Sequence, residues 1–192
     1  MSEAQSALRG TWHKGLVTVA EAGLQGMITL RGQTGEAGFA DAVKQATGLD
    51  LPDTRTIVAA DKRAIAWMSP DEWLLMCPYE DAHDMVAGLR AALAGRHHLV
   101  ENVSDARAMF TLDGDDATLR EVLAKLAPVD LHPERFGPGE MRRTRFAQVP
   151  GAFWLTAPGA ARVVCFRSVA QYMYDLLCVA SSEGSAVGYF KP

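Results

Sequence analysis

Cysteine is scarce. The chain has three, Cys77, Cys165 and Cys178. An odd number at wide spacing argues against a disulfide framework, and without a CxxC pair a sulfur-rich zinc site is not expected either. Each sits in an apolar stretch, where free cysteine behaves as a small buried hydrophobe. Long apolar runs are also missing. None approaches the roughly 18 residues that a membrane span needs, and the first residues, MSEAQSALRGTWHKG, lack the apolar core of a signal peptide. Blocks of like charge are absent, and the formal net charge is −4. That balance disfavours nucleic acid and anionic membranes as partners. These absences lead us to expect a soluble, cytoplasmic chain.

Motifs of the common cofactor and hydrolase sites are missing as well. No GxGxxG lies between a strand and a helix, and Gly32, Gly35 and Gly38 have the wrong spacing for a dinucleotide fingerprint. GxxxxGK[ST], HExxH and GxSxG do not occur. Binding of NAD or FAD by this chain alone through a standard fold is therefore not expected. His97 and His98 are adjacent, and neighbours on a strand point to opposite faces, so they read as a solvated strand start rather than a metal pair. His132, in an HPE loop, reads as a turn residue. Asp113, Asp115 and Asp116 read as the negative charge that a helix start favours. No catalytic residue and no metal ligand set emerges.

What is present is ordinary globular composition, 48% hydrophobic and 22% charged. The chain is organised around Ala64–Met76, AIAWMSPDEWLLM. Pro70 sets the second position of a turn and Asp71 follows it well, so Ser69–Glu72 joins two strands. The patterning predicts strands at 27–31, 56–60, 99–103, 106–112 and near 142–149, 152–156 and 162–166. Helices are expected at about 36–47, 81–94 (capped by Asp81), from Asp115 or Asp116 to Pro128, and from a Ser168 cap onward. Residues 15–26 read as a weak strand or loop.

Two halves follow the same order. Leu30-Arg31-Gly32 matches Leu112-Asp113-Gly114, Ala66-Trp67-Met68-Ser69 matches Phe153-Trp154-Leu155-Thr156, and Cys77 matches Cys165. The expectation is a single α+β domain, a duplicated β-α-β-β-β-α unit with pseudo-two-fold symmetry and antiparallel sheets covered by helices. It spans 15–183, with halves of about 15–97 and 98–183. Residues 1–14 are expected as a flexible arm and 184–192 as a polar tail.

The densest basic run is Arg142, Arg143 and Arg145, which either holds a carboxylate or phosphate, such as a polyglutamate tail, or forms one solvated strand face. Trp67 and Trp73 are core residues or part of an interface patch. Asp105 and Arg107 flank a turn, as an ion pair or as interface residues.

With these residues in hand, the chain resembles the gamma subunit family of heterotetrameric sarcosine oxidase. The resemblance covers about residues 15–183. It rests on Trp67–Leu75 (WMSPDEWLL), on Val103–Arg107 followed by Leu112-Asp113-Gly114, and on Phe166–Tyr172 leading into Leu176-Leu177. That family is similar to the folate-binding domain of the glycine-cleavage aminomethyltransferases, a duplicated α+β unit. The resemblance implies a non-catalytic subunit among alpha, beta and delta chains. It implies an assembly that oxidises sarcosine to glycine, makes peroxide and passes a one-carbon unit to tetrahydrofolate. FAD, FMN, NAD and zinc are implied for the other subunits and none for this one, with tetrahydrofolate as a possible ligand. The alternative is a free-standing folate-binding protein that uses Arg142, Arg143 or Arg145.

Overall fold

The computed structural model describes residues 3–190. In chain order its elements are β1 (Trp12–Lys14), β2 (Thr18–Glu21), β3 (Gly26–Arg31), α1 (Phe39–Thr47), β4 (Ile57–Ala60), β5 (Arg63–Ser69), β6 (Glu72–Cys77), α2 (Ala82–Ala92), β7 (Leu99–Asn102), β8 (Arg107–Asp113), α3 (Asp116–Ala124), β9 (Met141–Phe146), β10 (Val149–Ala157), β11 (Ala160–Phe166) and α4 (Ala170–Ala180). They form two compact units. One is Leu24–Asp105. The other joins residues up to Gly23 with those from Ala106 onward.

In the Leu24–Asp105 unit an antiparallel sheet runs β4-β5-β6-β3-β7. The strand period of two turns Ile28, Leu30, Ile65, Trp73 and Leu75 to one face. They pack there on the apolar stripes of α1 (Phe39, Ala42, Val43) and α2 (Met85, Val86, Leu89). Trp73 is 1% exposed, with its ring 5.8 Å from that of Phe39. Each such fully buried large side chain contributes roughly 1.5–3 kcal/mol. α1 ends at Gly48, whose left-handed φ of +78° lets its N–H reach the Lys44 carbonyl.

In the other unit the sheet runs β1-β2-β8-β11-β10-β9, again antiparallel. Its helix-side core holds Phe110, Leu112, Leu119, Val122, Leu123, Met173 and Leu177. Phe153 lies between Phe136 at 5.1 Å and Phe146 at 5.6 Å. Asp115 caps α3 through the Thr118 N–H at 3.0 Å.

The two sheets repeat one register. Leu30 opposite Trp73 corresponds to Leu112 opposite Ala161, and Gly26 opposite Cys77 corresponds to Ala108 opposite Cys165. A bulge follows Trp67 in β5 and, at the equivalent place, Leu155 in β10. The matches Leu30/Leu112 and Cys77/Cys165 therefore hold. The Trp67/Trp154 match is one residue out, because Trp67 corresponds to Leu155. A one-residue slip changes the face. Trp67 accordingly packs on the helix-side core of its unit, whereas Trp154 points to the other face of its sheet and is buried there.

The repeat is also cut differently from the expected halves. The strand that opens each half joins the sheet of the other: β2 pairs with β8, and β7 pairs with β3. Residues 98–102 thus belong with 24–105, and residues 15–23 with the later elements. The expected flexible arm is tied down from Ser6 to Lys14. β1 pairs with β2, and the buried Glu21 carboxylate accepts Ser6 Oγ–H at 2.9 Å, Leu8 N–H at 2.8 Å and Gly10 N–H at 2.6 Å. Two expected caps are not used. Asp81 and Ser168 fall in short 3₁₀ turns, Tyr79–Asp81 and Arg167–Val169, and neither side chain caps the helix that follows.

Candidate functional site

β9 is an edge strand, and its three arginines divide between two faces. Arg142 lies opposite Phe153, on the helix side. Its Nη2–H donates to Glu140 Oε1 at 3.0 Å, its Nη1–H to the Met141 carbonyl at 2.8 Å, and its guanidinium lies 4.9 Å from the Phe136 ring centroid. Arg143 and Arg145 are exposed on the opposite face, beside Ala152 and Pro150. The strand therefore does not gather three arginines around one carboxylate.

The tryptophans part in the same way. Trp67 is half-buried against the helix-side core. Trp73 lies within that core and offers no surface to a partner, so of its two readings, core or interface patch, the core one fits. The bulge after Trp67 lets Ser69 pair with Glu72 and closes the hairpin. Asp71 in its turn accepts Ser69 Oγ–H at 2.8 Å and Arg31 Nη2–H at 2.6 Å. The Arg31 hydrogen bond, with that of Ser69, holds the Asp71 carboxyl below its ordinary range.

Asp105 is exposed and accepts the Tyr79 hydroxyl at 3.0 Å. Arg107 is half-buried, 4.3 Å over the ring of Phe166, which is 45% exposed. His97 and His98 stand at the start of β7, and His98 Nδ1 lies 2.9 Å from the Arg96 carbonyl. Among the described residues no group of three or more His, Cys, Asp or Glu side chains is placed to hold a metal ion, and no helix is long and apolar enough to cross a membrane.

A further cluster was not visible in the sequence. Arg120 and Glu121 are both buried on α3, at 3% and 5% exposure. Glu121 accepts the Gly188 N–H at 2.6 Å and also the Val187 N–H. The Lys125 ammonium donates to the Ala180 carbonyl at 3.1 Å and the Ser185 carbonyl at 2.7 Å. The polar tail is thereby pinned along α3, and Phe190 packs on the core. A cleft of about 610 Å³ remains, lined by Val129, Leu131, His132, Arg135, Tyr189 and their neighbours. The apolar stripe Leu119-Val122-Leu123 marks α3 as amphipathic, but nothing in its spacing shows that Arg120 is covered by the loop before β9 and Glu121 by the distant tail.

The model of the sarcosine oxidase, gamma subunit family matches residues 31–183, from the end of β3 past α4. The chain belongs to that family. The gamma subunit of sarcosine oxidase from Corynebacterium sp. (strain U-96) is 34% identical over 172 residues, which span 88% of this chain and 82% of that one. The fold is also that of a chain in the heterotetrameric sarcosine oxidase from Corynebacterium sp. U-96, solved in complex with pyrrole 2-carboxylate. The TM-score is 0.79 at 33% identity, covering 89% of this chain and 86% of that one. Aminomethyltransferase T of the glycine cleavage system from Bartonella henselae shares the fold at a TM-score of 0.59 and 13% identity, over 82% of this chain and 44% of that one. The WMSPDEWLL stretch lies in the β5–β6 hairpin, at the centre of the Leu24–Asp105 unit.

Proposed function

We propose that this chain is the gamma subunit of a heterotetrameric sarcosine oxidase and acts there as a structural partner of the chains that carry the chemistry. The observation that carries this reading is the 33% identity, with a TM-score of 0.79 over 89% of the chain, to a chain of such an assembly. The partners are alpha, beta and delta subunits, which hold FAD, FMN, NAD and zinc. The assembly oxidises sarcosine to glycine, forms peroxide and passes the one-carbon unit to tetrahydrofolate. In this reading the chain contributes surface rather than a reacting group. Trp67, Asp105 and Arg107 are the residues it offers to partners, and large aromatic and arginine side chains at a well-packed contact carry most of the binding energy of an interface.

Free-standing folate binding has less behind it. The similarity to aminomethyltransferase T is one of fold alone at 13% identity. Arg142 is engaged with Glu140 and Phe136, and Arg143 and Arg145 lie on the opposite face of β9, so the three do not converge on one glutamyl carboxylate.

Purification of the tagged chain from its own cells, with an absorption spectrum of the eluate, tests the proposal. Larger chains and a flavin spectrum are expected to travel with it. A colourless chain that elutes alone and takes up tetrahydrofolate would favour the free-standing reading.

A further inference from the structure

The edges of the two sheets are not equally protected. An edge strand presents unpaired N–H and C=O groups, and natural sheets cover or charge them. β9 carries Arg142, Arg143 and Arg145. On β7 the outward carbonyl of Val100 is taken by Arg90, through Nε–H at 3.0 Å and Nη2–H at 2.8 Å. β4 has neither device. Its sequence is Ile57-Val58-Ala59-Ala60, and charged side chains begin only at Arg55 before it and Asp61 after it.

The duplicated register makes the contrast specific. Ile57 lies opposite Ala66 in β5, as Met141 lies opposite Trp154 in β10. Val58, Ala59 and Ala60 thus stand where the other unit has Arg142, Arg143 and Thr144. At this edge one copy carries two arginines, while the other carries only small or apolar side chains, with Ala59 and Ala60 exposed.

The backbone direction follows from the ladder. The Thr56 carbonyl accepts the Trp67 N–H at 3.1 Å, so Thr56 faces β5. In an antiparallel pair the backbone groups alternate between the partner strand and the outside. Val58 and Ala60 therefore face β5, and Ile57 and Ala59 turn their N–H and C=O groups away from the sheet. Two such residues, the half-buried Ile57 and the small, exposed Ala59, form a short template for another extended backbone.

We propose that β4 is a strand-addition site, filled in the assembly by an extended, uncharged segment of a partner chain. This rests on the gamma-subunit reading. The occupant is a partner rather than a second copy because the site is small. Two outward residues offer at most about four backbone hydrogen bonds, and β4 meeting β4 across a two-fold axis would bury far less than the roughly 1,200 Å² of a stable specific interface. A chain already held elsewhere on the surface can add these bonds without needing them for its whole affinity.

Hydrogen exchange over residues 55–62 of the free chain and of the purified assembly tests the site. The amides of Ile57 and Ala59 are expected to exchange freely in the isolated chain and to be protected in the assembly. Ala59→Arg, which restores the charge of the equivalent strand, and Ala59→Pro, which removes an outward donor at a position an edge strand tolerates, are expected to weaken assembly by 10-fold or more. Both variants should keep the circular dichroism spectrum and unfolding midpoint of the parent. Fast exchange of both amides within an intact assembly would overturn the strand addition and leave the subunit reading standing. Protection that appears in the isolated chain as its concentration rises would assign the edge to a second copy and overturn the partner. Failure of the parent chain to enter any flavoprotein assembly would refute the subunit reading and this proposal with it.

Discussion

Asp116 and Arg120 lie one turn apart on α3, and the arginine's Nε–H donates to Asp116 Oδ2 at 2.8 Å. The same guanidinium donates through Nη1 to the carbonyls of Leu131 at 2.8 Å and Phe136 at 2.7 Å, so one buried cation ties the helix to the loop before β9. Arg120→Met leaves the Leu131 and Phe136 carbonyls without this donor and takes one of two donors from the Asp116 carboxylate. It is expected to cost about 3 kcal/mol, read as a lower denaturant midpoint at an unchanged slope. Arg120→Lys keeps the charge but not the planar fork, and should fall between the two.

Gly159 extends the same cluster. Its N–H donates to Asp116 Oδ1 at 2.9 Å from the turn between β10 and β11. Its φ is +74°, and an added Cβ would lie 2.2 Å from the Gly114 carbonyl oxygen. Gly159→Ala meets both the conformational penalty and the overlap. We expect a loss of about 2 kcal/mol or more, measured by thermal unfolding. An unchanged midpoint would mean that the turn relaxes freely.

Glu121 gives the tail a pH dependence. Burial works against its charge, but the N–H groups of Val187 and Gly188 and the Lys125 ammonium outweigh that and hold its carboxyl below the ordinary 4.5. A carboxyl lowered in the folded state contributes its full stabilisation above the unfolded value and loses it as pH falls through the folded value. Tail docking should therefore be constant from neutral pH down to about 4.5 and weaken below that. Glu121→Gln at neutral pH should release the tail at a cost of about 2 kcal/mol, seen as faster proteolysis after Ser182.

The three thiols should differ in reactivity. Burial pushes the Cys165 thiol up to about 12 against the opposing charge of Arg107, and burial also raises Cys77 and Cys178. Cys77 and Cys165 are buried, whereas Cys178 is half-buried. An alkylating reagent at pH 8 is expected to modify Cys178 first and slowly, and the other two only on unfolding. Mass spectrometry of the labelled peptides reads the order. Early labelling of Cys165 would contradict the packing of β11 against β8.

Much of this fold is legible in the residues. The paired segments Leu30-Arg31-Gly32 and Leu112-Asp113-Gly114 occupy matching strand ends, and the helices lie where their apolar stripes predict. The exchange of β2 and β7 is not legible, because strands of four residues with mixed patterning carry no mark of which sheet they complete. The Trp67/Trp154 echo misleads for a related reason. Both rings are large and apolar, but they sit one residue apart in the shared register and so take opposite faces, and composition does not encode that offset. The site was legible only in outline. Alternation along β9 predicts that Arg142 and Arg143 part, whereas the burial of Arg120 and Glu121 depends on a loop and a tail distant in sequence.

We propose that this chain belongs to a four-chain flavoenzyme. Native mass spectrometry of the complex purified through this chain tests it most directly. One copy of this chain with one copy each of three different chains is the predicted composition, and release of this chain should leave the flavin with the remainder. A single chain, or a multiple of this chain alone, would contradict the account.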